Sequence, residues 1–92
     1  MEIKHITQTC NACPSQWEGR STDNRPVYIR YRWGWLTIGV GLPGQTISDA
    51  VEKSMNKPDV EEKLGDEFHG EISYSKVKPY IDKLAILQES QK

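Results

Sequence analysis

The stretch RPVYIRYRWGWLTIGVG, Arg25 to Gly41, constrains the fold more than any other part of the chain. Val27, Ile29, Tyr31, Trp33 and Trp35 alternate in one phase, whereas Leu36, Ile38 and Val40 follow the other. A single strand would need a bulge to absorb that change. A two-residue turn at Trp33-Gly34 removes the conflict, because glycine takes positive φ at little cost. Trp-Gly is nevertheless not a favoured hairpin pair. With that turn, Arg32 opposes Trp35, Tyr31 opposes Leu36, Arg30 opposes Thr37, and Ile29 opposes Ile38. Tyr28 then meets Gly39, and Val27 meets Val40. One face carries Val27, Ile29, Tyr31, Leu36, Ile38 and Val40; the other carries Tyr28, Arg30, Arg32, Trp35, Thr37 and Gly39. An apolar face backed by polar alternates is the pattern of an antiparallel sheet packed on one side.

The flanking sequence supplies the other elements. EIKHI at 2–6 and SQWEGR at 15–20 read as strands, separated by a turn at CNACPS. STDNRP joins the second of these to the hairpin, with Asp23-Asn24 as turn formers. After the loop GLPGQ, Thr46 and Asp49 are suited to a helix start. Ile47, Val51 and Met55 form its stripe, with Ala50 beside them, and Asn56-Lys57-Pro58 ends it. VEEKL reads as a short helical turn capped by Asp59, and FHGEISY at 68–74 as an edge strand. Ser75 is placed as the cap of a last helix, with Pro79 in or near its first turn and Val77, Tyr80, Ile81, Leu84, Ala85 and Leu87 as its apolar stripe. The expected class is α+β: an antiparallel β-meander of three to five strands packed on one face by two helices, in a single small domain over 1–92.

Lysine plus arginine number 12 against 13 acidic residues, so the chain is not broadly basic and a nucleic-acid coat is disfavoured. The charge is unevenly placed. Between Lys4 and Lys53 there are four arginines, Arg20, Arg25, Arg30 and Arg32, and no lysine. Arginine presents a rigid fork of donors suited to carboxylates, phosphates and aromatic faces. No apolar run is long enough to cross a bilayer, and MEIKHITQTC lacks a signal-peptide core, so a soluble cytoplasmic protein is expected.

Cys10 and Cys13 form the lone CxxC, and His5 and His69 are the histidines. Together they have the residue types of a Cys2His2 zinc site, but the usual second pair at ligand spacing is absent. Pro14 follows Cys13 at once, which does not suit the helix N-terminus of a dithiol redox loop. GVGLPG lacks the Lys-Ser/Thr of a phosphate loop, and neither HExxH nor GxSxG occurs. Glu18 is placed to face Arg30 or Arg32 across the sheet.

What remains is an interleaving of arginine with large aromatics, the residue types that anchor interfaces and stack on planar ligands. The expected binding residues are Trp17, Arg20, Tyr28, Arg30, Arg32, Trp33 and Trp35. The expectation is a non-catalytic binding protein, such as an inhibitor or sequestering protein, for a protein partner, for a second copy in a homo-oligomer, or for a small phosphorylated, nucleotide-like ligand. No cofactor is required by it. The alternatives are a zinc-stabilised nucleic-acid-binding module using His5, Cys10, Cys13 and His69, and a small enzyme whose reaction the sequence does not name.

Overall fold

The computed structural model describes residues 3–11, 15–65 and 72–90. Five antiparallel strands form one meander in chain order: β1 (Ile3–Asn11), β2 (Ser15–Ser21), β3 (Pro26–Arg32), β4 (Trp35–Val40) and β5 (Val60–Lys63). Helix α1 (Ile47–Asn56) lies in the connection between β4 and β5, and α2 (Tyr74–Ser90) follows β5. Two helices packing on an antiparallel meander make the α+β class that the sequence predicts. No described helix is long and apolar enough to cross a membrane.

The central hairpin has the register read from the alternation, from Arg32 opposite Trp35 to Val27 opposite Val40. Trp33 and Gly34 adopt φ of 54° and 77°. Positive φ at both positions is the type I′ turn, whose twist matches that of the flanking strands. All six residues of the apolar face are buried, and Ile72, Val77, Ile81 and Leu84 cover them from the α2 side. The spacing of Val77, Ile81 and Leu84 places them on one helical face. Each such aliphatic side chain contributes about 1.5–3 kcal/mol on burial, so this layer is the main source of cohesion.

The β2–β3 loop is a type I turn followed by a left-handed residue. Asn24 N donates to Ser21 O at 3.0 Å, Ser21 N donates to Arg25 O at 3.0 Å, and Asn24 has φ 64°. The Ser21 hydroxyl donates to the Asp23 carboxylate, and Arg25 Nε donates to it at 2.8 Å. These contacts, the serine first, hold the Asp23 carboxyl below its usual pKa.

Several local expectations change. Strand β1 runs to Asn11 rather than ending at residue 6, with register shifts after Ile3 and Gln8. The segment VEEK is a strand, not a helical turn. One isolated helical turn is marginal, whereas extending it satisfies the backbone groups along the β4 edge from Trp35 to Ile38. Asp59 leads it in: its N–H donates to Ile38 O at 2.8 Å, and its carboxylate accepts Val40 N at 2.7 Å and Lys53 Nζ at 2.9 Å. The strand expected at 68–74 lies largely outside the described residues, and its last residue, Tyr74, already belongs to α2. That helix starts one residue before Ser75, so Pro79 falls inside it, beyond the first turn, where proline removes a hydrogen bond and crowds the preceding turn.

Helix α1 differs in which face it covers. A Cβ on Gly39 would lie 2.3 Å from Ala50 O and 2.7 Å from Ser54 N, so α1 crosses directly over Gly39. Gly39 belongs to the face opposite Ile38 and Val40, and α1 therefore covers one end of the arginine-bearing side while α2 covers the apolar side. The two helices thus do not share the single face anticipated for them. The helix buries its small residues Ala50 and Ser54, while Ile47 and Val51 are half-buried and Met55 is exposed. Its start is held by Asp49, whose carboxylate accepts Thr46 N at 2.9 Å and Thr46 Oγ1 at 3.0 Å.

Candidate functional site

Strand alternation and α1 divide the second sheet face into two zones. Toward α1 lie Pro26, Tyr28, Gly39 and Gly41, all buried. Toward the Trp33-Gly34 turn lie Arg30, Arg32, Trp35 and Thr37, partly or wholly open to solvent. The candidate site is this second zone.

The four arginines separate into two classes by what they hold. Arg25 is paired with Asp23 at 2.8 Å. Arg20 donates to Asn24 O at 3.2 Å and to Gln45 O at 2.9 Å, tying the β2–β3 loop to the segment before α1. Both are occupied in loop architecture, and Arg20 is therefore not brought to the exposed cluster. Arg30 and Arg32 take part in none of the ion pairs among the described residues, which are Arg25–Asp23, Lys53–Asp59 and Lys78–Asp82. Arg30 sits between Gln16 on β2 and Thr37 on β4, and its Nε is buried without a hydrogen-bond partner. The Arg32 guanidinium lies over the Trp33 ring, 4.1 Å from its centroid, an attraction of about 0.5–1 kcal/mol at an exposed site.

The aromatics separate in the same way. Trp33 and Trp35 are 59% and 44% exposed. Trp17 is only 4% exposed, stands opposite Ile29 in the core, and meets Tyr74 at 6.1 Å between ring centroids. The structure removes it from the candidate site. Trp17 and Arg20 are an odd number of residues apart, so an unbroken strand places them on opposite faces. Tyr28 is on the correct face but 7% exposed, beneath the α1 end. Burial raises its pKa above the usual tyrosine value, and Glu18 opposite it adds to the rise. Glu18 thus faces Tyr28, while Gln16 takes the place opposite Arg30.

Lys63 is the residue that sequence reading misses. It lies directly opposite Trp35, and so on the same face, once VEEK is paired as β5. Charged helix formers in VEEKL hide this strand. Pro58 gives no signal for it, because it restricts only Lys57 before it and so marks the end of α1.

His5 and Cys10 do not converge. Their partners on β2 are Arg20 and Gln16, four residues apart, or about 13 Å of strand. Ligands of one tetrahedral zinc, each about 2.0–2.3 Å from the metal, must lie much closer than that. Cys13 and His69 are outside the described residues, among which no group of three metal-ligating side chains occurs. A depression of about 460 Å³ beside α1 includes Gln45, Asp49 and Lys53 in its lining. These polar groups are engaged locally, with Leu42 N, Thr46 and Val40 O respectively. Comparison with protein-family models, curated proteins and solved structures returned no match for this chain.

Proposed function

We propose that this is a non-catalytic binding protein whose arginine–tryptophan face takes an anionic group presented by a partner protein. The observation that carries the reading is Trp33. The type I′ turn favours Asn-Gly or Gly-Gly, yet its first central position holds a tryptophan at φ 54° that is largely exposed. A left-handed conformation costs a residue with a bulky side chain about 1–2 kcal/mol, and core burial does not offset it here. A strained residue at an exposed site supports a functional reading, because the stacking of Arg32 on its ring returns only part of that cost to the fold. Beside it stand Trp35 and the cations Arg30 and Arg32, which enter no ion pair among the described residues; tryptophan and arginine are the side chains that dominate binding energy at interfaces.

A small phosphorylated ligand is the second reading, favoured by the buried Arg30 Nε with no acceptor. In both readings the arginines supply charge-assisted hydrogen bonds and the tryptophans supply packing, with no bond made or broken.

The test is native mass spectrometry of the protein purified from its own host, beside an Arg30→Ala/Arg32→Ala variant. The wild type should retain a stoichiometric partner or ligand mass, which the variant loses. Loss of two such anchors corresponds to about 2 kcal/mol or more, roughly thirtyfold in affinity. Circular dichroism should stay native. Equal retention by both proteins would refute the role of this face.

A further inference from the structure

Lys63 enlarges the site in a way that selects among ligands. Arg32, Trp35 and Lys63 form one row across β3, β4 and β5, each opposite the next. Strands are about 4.8 Å apart, so the two cations rise from backbones roughly 10 Å apart with the exposed indole between them. Arg30 stands two residues from Arg32 on the same face, about 7 Å along the strand. Lys63, like the two arginines, enters none of the ion pairs among the described residues.

We infer that this row is a docking surface for an acidic segment of a partner protein, with Lys63 and Arg32 receiving carboxylates on either side of an apolar side chain packed on Trp35. The inference rests on the binding reading above and adds a residue and a ligand class to it. A single phosphate would have to draw both cations together across the indole that stands between them. In an extended chain, by contrast, the carboxylates two residues on either side of an apolar residue share its face, with backbones about 13 Å apart, and their side chains reach Arg32 and Lys63 while the apolar one rests on Trp35. A nucleic-acid strand needs a continuing positive track. Here the cationic patch is bordered on the same face by Glu61, opposite Thr37, and by Glu18, opposite Tyr28. Those acidic neighbours repel a long polyanion and leave room for a short acidic segment.

The experiment is an NMR titration of the nitrogen-15-labelled full chain with three probes. These are the peptide acetyl-Glu-Glu-Phe-Glu-Glu-amide, its glutamine counterpart, and a single-stranded oligothymidylate of eight nucleotides. The acidic peptide should shift the indole N–H signals of Trp33 and Trp35 and the amides of 61–63, and leave the Trp17 indole unmoved. The glutamine peptide should not. Lys63→Ala should weaken the acidic peptide roughly three- to fivefold, as removal of one exposed ionic contact does. Raising the salt concentration should weaken it further. Lys76→Ala, on exposed α2 surface, should change nothing.

If the peptide shifts the Trp33 and Trp35 indoles and Arg30→Ala/Arg32→Ala abolishes the shifts, but Lys63→Ala leaves the affinity unchanged, the inference fails and the parent reading stands. Tighter binding of the oligothymidylate than of the acidic peptide would overturn the inference in favour of nucleic acid. Absence of any indole shift with the acidic peptide would also overturn the inference, while the partner-retention measurement would still decide the parent reading independently.

Discussion

At the scale of single residues, Trp33 is where foldability and the proposed function oppose one another. Its left-handed backbone is a cost, and its stacking against Arg32 recovers only part of it. Trp33→Asn should therefore raise unfolding stability by about 0.5–1 kcal/mol, because asparagine suits the turn. The same substitution should weaken partner retention. Urea unfolding beside the native mass measurement checks both effects. A loss of stability would mean that the tryptophan serves the fold and would remove the main support for a binding role. The arginines teach a related lesson. Sequence clusters all four, but Arg20 and Arg25 are bound into loops while Arg30 and Arg32 enter no ion pair among the described residues. No local pattern distinguishes them, because the acceptors of Arg20 include Gln45, on the far side of the central hairpin.

At the scale of elements, the central hairpin was legible because its information is local. Two phases of alternation and a glycine determine a turn and a register, and the observed pairs agree with both. The segment VEEK was not legible, because its partner edge on β4 lies beyond an intervening helix. Helix α1 was legible as a helix, through Thr46 and Asp49, but its docking face was not. That docking depends on Gly39, Ala50 and Ser54, residues too small to register in an apolar stripe. Gly39→Ala should therefore destabilise the protein by about 1–3 kcal/mol, the range for overfilling a tight contact. The added methyl would meet helix backbone, which yields less readily than the end of a side chain. A change within about 0.5 kcal/mol, as at an inconsequential surface position, would contradict the close approach of α1.

At the scale of the whole molecule, the sheet is covered on one side by α2 and at one end of the other side by α1. This division buries Tyr28 and leaves the turn end of the same face open. It also sets an alkaline limit. Burial raises the pKa of Tyr28 and of Tyr74 above the ordinary value near 10. The unfolded chain then ionises first as pH rises, so the contribution of these tyrosines is complete below about pH 10 and is lost as pH rises through their folded pKa values. A Tyr28→Phe/Tyr74→Phe variant should lose less stability than the wild type between pH 8 and pH 11 in urea titrations. Parallel curves for the two proteins would count against buried, neutral phenols.

The sequence by itself determined the α+β meander class, the Trp33-Gly34 turn, the hairpin register, the apolar face of the hairpin and the Val77, Ile81 and Leu84 part of the α2 stripe, the side chains of Ala85 and Leu87 lying outside the described residues. Each follows from backbone periodicity and steric preference within a few neighbouring residues. Only the tertiary structure decided which arginines are occupied, that Trp17 belongs to the core, that α1 closes part of the polar face, and that Lys63 joins Arg32 and Trp35. Those outcomes depend on groups far apart in the chain satisfying one another's backbone bonds, charges and close contacts, and their positions relative to one another exist only once the sheet has formed.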